Sequence, residues 1–127
     1  MEMRRPSPSY VELCRRYRRW LTEGLDPEPG DWVVRIGHDG GAVRLVSEDS
    51  SRLAAGEVLV PRLERLLWLL AREATSFVLD HSAGEFACVA FDAEGRTLAN
   101  VVATEPALAV AQALAFIRAE RAAQREE

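Results

Sequence analysis

Three β-favouring runs at residues 76–80, 86–91 and 97–102 are joined by only two short turns, Ser82-Ala83-Gly84-Glu85 and Asp92-Ala93-Glu94-Gly95. A parallel connection needs a crossover of about a dozen residues or more, which these turns do not supply. The three runs must therefore pair as an antiparallel meander, and its apolar face needs a covering layer. The flanking segments offer that layer.

Before the meander, Val58-Leu59-Val60 leads into Pro61, whose fixed φ suits a first helical turn, and Leu63, Leu66, Leu67, Leu70 and Ala74 then share one face. A helix is expected over 61–72. After the meander, Thr104 offers a hydroxyl to the first amides of a final helix, with Glu105 and Pro106 in its first turn, reaching to about Gln124.

At the other end, Ser9 and Glu12 have capping-box spacing, so a first helix should begin near Tyr10. Tyr10, Leu13, Cys14, Tyr17, Trp20 and Leu21 form its apolar stripe, and Gly24 is its stop. Runs at 32–36 and 42–46 flank His38-Asp39-Gly40-Gly41 and read as a hairpin, followed by a polar loop over 47–56. The expected class is α+β: a largely antiparallel sheet, hairpin plus three-stranded meander, packed against two or three helices. At 127 residues the chain reads as a single domain over 1–127, with a flexible lead at 1–9 and a frayed charged end at 119–127.

The longest apolar runs, 66–71 and 86–91, are far below the roughly 20 residues of a spanning helix, and Arg4 and Arg5 lead into prolines and serines rather than an apolar segment. A cytoplasmic protein without a membrane partner is expected. Cys14 and Cys88 stand far apart and read as reduced structural thiols. All sixteen basic residues are Arg, and Asn appears once, which points to a GC-rich genome.

Motifs for chemistry fail on spacing. Asp80-His81-Ser82 holds the residue types of a triad, but neighbours on a strand alternate faces and cannot line up. His38 and His81 are not paired with Cys14 and Cys88 as zinc ligands require. Gly37-His38-Asp39-Gly40-Gly41 lacks the following helix of a phosphate loop, and Asp92 and Glu94 sit in a solvated turn. No catalytic residue, cofactor or metal is therefore expected.

Surfaces remain. Through Gly24 the chain carries six Arg against three Glu, a charge of +3; the remainder has ten Arg against seventeen acids, −7. Arg15, Arg16, Arg18 and Arg19 form a basic face that suits a macromolecular partner, protein or nucleic acid. Trp68 and Leu69 widen the apolar stripe of their helix, and the final helix is apolar nearly all round from Ala107 to Ile117. Trp68, Leu69, Val110, Leu114 and Ile117 are the expected oligomer interface, and this surplus favours a homodimer.

The passage Val60-Pro61-Arg62-Leu63-Glu64-Arg65-Leu66-Leu67, a meander, and then Thr104-Glu105-Pro106-Ala107-Leu108-Ala109 with Ala113-Leu114-Ala115 resembles small phage and prophage proteins grouped as a phage α-β-α sandwich domain. The resemblance covers about residues 58–118 and implies a phage-type accessory protein in the host cytoplasm. The expected function is a non-enzymatic interaction protein, for instance an inhibitor of a host defence macromolecule. The alternatives are a nucleic-acid binder using the arginine face and a small enzyme with an unrecognised site.

Overall fold

The computed structural model describes residues 5–36, 42–47 and 52–126. It is an α+β structure whose strands form two three-stranded antiparallel sheets. The chain divides into two compact units, Met1–Arg62 and Leu63–Glu127.

The first unit opens with helix α1, Pro8–Arg16. Its cap is Ser7, extended at φ −67° and ψ 155°, whose Oγ accepts the Tyr10 N–H at 3.1 Å. The spacing rule pointed to Ser9, but Pro8 already satisfies the first helical position and moves the start two residues earlier. Glu12, released from the expected box, pairs with Arg15 instead.

The helix does not run to Gly24. Tyr17, at φ −108° and ψ 27°, ends α1, and a single turn, α2 (Arg18–Leu21), follows it. A continuous helix would set Arg15 against Arg18 and Arg19, and Arg16 against Arg19, at the spacings where like charges repel. The break also lifts Tyr17 off the stripe: Tyr10, Leu13, Cys14 and Leu21 are buried, whereas Tyr17 is exposed. Gly24 then makes the turn at φ +83°, a conformation that favours glycine.

Strands β1 (Trp32–Arg35) and β2 (Ala42–Leu45) form the expected hairpin; its turn lies outside the described residues, as do residues 48–51 of the 47–56 loop. Strand β3, Glu57–Val60, pairs with the other side of β1 in the order β2-β1-β3. Sequence reading took these residues as a lead into a helix, but all four are buried, the mark of a strand covered on both faces. Pro61 consequently ends the strand rather than opening a helix. Val33, Val46 and Leu59 form the core cluster, with Leu25 and Leu53 packed on it, each fully buried aliphatic side chain contributing about 2 kcal/mol.

Two buried polar groups hold this unit closed. Asp31 accepts the Glu28 N–H at 3.0 Å, the Arg62 N–H at 3.0 Å and the Arg62 guanidinium at 3.1 Å. The Tyr10 hydroxyl donates to the Pro61 carbonyl at 2.6 Å, tying α1 to the end of β3.

The second unit begins with α3, Leu63–Glu73, and continues into the meander: β4 (Ser76–Ser82), β5 (Glu85–Phe91) and β6 (Thr97–Ala103), each antiparallel to its neighbour. The first turn is two residues long, Ala83 at φ 52° and Gly84 at φ 80°, as the hairpin's twist demands. In the second, one Asp92 carboxylate oxygen accepts the N–H groups of Glu94 and Arg96, both at 2.9 Å. That carboxylate shapes a turn, as an Asx residue commonly does.

Helix α4, Pro106–Arg125, lies against β5, β6 and α3. Pro106 occupies its first position, so the cap falls on Glu105 and makes no side-chain hydrogen bond; Thr104, the expected cap, is exposed. Ala109, Ala111, Ala113 and Ala115 are buried with Val110, Leu114 and Ile117. Small side chains let the helix approach the sheet closely. Glu73 at the end of α3 accepts from Arg118 and Arg121, and Arg121 also donates to the Glu73 carbonyl, one of the carbonyls a helix end leaves unpaired. Among the described residues no helix is long and apolar enough to cross a membrane.

Candidate functional site

The four arginines singled out by sequence are all exposed, but the break at Tyr17 divides them. Arg15 and Arg16 end α1. Arg15 is committed within its own helix: its Nε donates to Glu12 Oε2 at 2.9 Å and its Nη2 meets the other oxygen. That hydrogen bond holds the Glu12 carboxyl below the usual range, with the charges of Arg15 and Arg16 adding to it, and raises the Arg15 pKa.

Arg18 and Arg19 stand on α2. Neither has a carboxylate partner among the described residues. The Arg19 guanidinium lies over the Trp20 ring, 4.7 Å from its centroid, a cation–π contact. Both line a groove of about 290 Å³ with Thr22, Glu23, Gly24, Leu25 and Leu53. The Gly24 turn shapes it, since the Leu25 N–H returns to the Thr22 carbonyl at 3.0 Å and brings Leu25 beside α2. With Tyr17 exposed and Trp20 half-buried, aromatic surface stands beside these two charges. A straight helix would have hidden both rings on the core side.

The remaining candidates have structural partners. On β4, the His81 ring packs on Phe86, its cross-strand neighbour, with centroids 4.6 Å apart, and Asp80 accepts the His81 backbone N–H. Asp80, His81 and Ser82 are not brought together as a triad. Glu57, buried on β3, accepts the Ala54 N–H at 2.8 Å and both ends of Arg44 at 3.3 Å. These donors, the Ala54 amide first, hold its carboxyl below the usual range. Cys14 and Cys88 are free thiols, and burial pushes them up to about 12 and about 11. Among the described residues no three His, Cys, Asp or Glu side chains converge as metal ligands would; His38 and the glycine turn around it lie outside them.

Of the apolar residues expected at an interface, Leu69, Val110, Leu114 and Ile117 are covered by the chain itself, while Trp68 is 68% exposed. Phe116 joins it as an exposed aromatic. A further apolar surface went unread in the sequence. Cys88, Ala90, Ala99 and Ala103 point to one face of the meander and are buried; the opposite face carries Val78 paired with Val89, and Val102 paired with Ala87. Val78 and Val102 are 54% and 55% exposed. The signal was there: Phe77-Val78-Leu79 and Val101-Val102 are apolar at consecutive positions, which puts apolar groups on both faces of a strand.

Searches against family models, curated proteins and solved structures return no match to this chain.

Proposed function

We propose that this chain is a non-enzymatic binding protein of phage or prophage type that works in the host cytoplasm by occupying a macromolecule, such as a component of a defence system. The observation that carries the reading is the valine-bearing face of the meander. An antiparallel sheet usually presents polar groups to water, and a cross-strand set of exposed valines instead suits a protein partner. The resemblance over residues 58–118 supports the phage origin.

The test is capture from host lysate by immobilised protein, followed by identification of what is held. Val78→Asp with Val102→Asp should abolish capture of the specific partner while leaving the fold intact. Equal capture by the variant would sink the reading.

A second reading, a nucleic-acid binder, is favoured by one observation: among the described residues Arg18 and Arg19 have no carboxylate partner, and they lie beside exposed aromatic surface. Its binding should weaken steeply with salt, because each neutralised phosphate releases counterions. Binding indifferent to salt excludes it.

A further inference from the structure

The groove at the Gly24 turn brings together three chemistries. Arg18 and Arg19 supply two forked cations that match phosphate oxygens and have no carboxylate of the described chain to satisfy them. Leu25 and Leu53 supply apolar wall, and both rest on the Val33, Val46 and Leu59 cluster, so this wall is backed by core. Glu23 supplies an exposed acceptor.

Size narrows the ligand. About 290 Å³ falls at the small end of ligand pockets, which begin near 300 Å³. The planar faces of a base suit an apolar wall and its phosphate suits guanidinium forks, the two chemistries that Leu25, Leu53, Arg18 and Arg19 bring together. An inorganic anion would use the arginines and ignore the leucines; an aliphatic acid would use both and ignore Glu23.

We infer that this groove binds one nucleoside phosphate unit, its phosphate held by Arg18 and Arg19, its base against Leu25 and Leu53, and an exocyclic amino group donating to Glu23. The inference rests on the nucleic-acid reading and sharpens it: the unit bound is unpaired, so single strands are preferred to duplex. The same unit exists as a free nucleotide and within a single strand.

The probes are fluorescein-labelled single-stranded oligoadenylate, the same sequence as duplex, AMP and inorganic phosphate, measured by anisotropy at low salt. The single strand should bind more tightly than the duplex, AMP should displace it, and phosphate at equal concentration should not. Arg18→Gln with Arg19→Gln should weaken binding about tenfold or more, the scale of losing the phosphate's two cationic contacts. Arg15→Gln with Arg16→Gln, the same change in charge outside the groove, should have the smaller effect. Leu53→Trp, which fills the groove, should match the Arg18/Arg19 variant; if it fails to fold, the comparison of the two arginine pairs decides.

Binding of AMP, followed by calorimetry, with no binding of the oligomer assigns a free nucleotide; binding of both assigns the strand. Oligomer binding that AMP does not displace, or that both arginine pairs weaken equally, overturns the groove and leaves the nucleic-acid reading standing. Displacement by phosphate as effective as by AMP also overturns it. No binding of any probe at low salt overturns both.

Discussion

One carboxylate oxygen of Asp31 accepts twice from Arg62, from its backbone N–H at 3.0 Å and its guanidinium at 3.1 Å. Asp31 is fully buried, yet its second oxygen is also engaged, by the Glu28 N–H. A buried charge supplied with this many donors is held in one position, and the chain leaving β3 is held with it.

Asp31→Ala should therefore cost about 3 kcal/mol, because it strands two amides and a partly buried guanidinium. Arg62→Ala should cost less, since its backbone N–H still donates. Urea midpoints of the two variants against the wild type check the order; equal losses would show that the guanidinium contact dominates.

Ser7→Ala should destabilise by about 1 kcal/mol through loss of the N-cap. Ser9→Ala should be near neutral, because the helix starts before it. Thermal melting of the pair tells which serine caps α1, and a larger loss at Ser9 would contradict the observed start.

Neither thiol should react with a disulfide reagent at pH 8 while the protein is folded. Burial holds Cys14 and Cys88 neutral, up to about 12 and about 11, and the thiolate is the reactive form. The folded values lie above the unfolded ones, so this contribution to stability is complete below the unfolded thiol pKa. It is lost as pH rises through that value toward the folded ones. Cys88→Ser should flatten that alkaline loss. Rapid labelling in native buffer would show that the thiols are reachable without unfolding.

Ala83 is a non-glycine residue in the left-handed region, at φ 52°. Ala83→Asn creates the Asn-Gly pair such a turn prefers and should stabilise by about 0.5–1 kcal/mol. Gly84→Ala, at φ 80°, should do the opposite. Melting temperatures of the two variants should bracket the wild type.

What could be read from sequence was whatever depended on neighbours. The meander was legible because its turns are too short for any other connection, and α3 because its leucines recur at helical spacing. The caps were not, since Ser7 and Ser9 both fit a start and the deciding residue is Pro8. Strand β3 was hidden because its identity comes from pairing with β1, a distant partner that four apolar residues do not reveal. The arginine cluster was plain in sequence, but the break at Tyr17 was not, because it depends on how successive charges and the Gly24 turn share one short segment. The apolar surplus of the sequence divides between core and surface: in α4 the alanines bury against the sheet, while Trp68 of α3 and the valines of β4 and β6 stay exposed.

The Asp31–Arg62 and Tyr10–Pro61 bonds also bear on the order of assembly. Each closes a long loop, so the first unit cannot finish until residue 62 is available to it, whether in refolding or during synthesis. The meander closes through adjacent strands and pays little for each closure. The half of the chain made first therefore depends on its own last residues, and translation that stalls before Arg62 leaves a nascent segment without its latch.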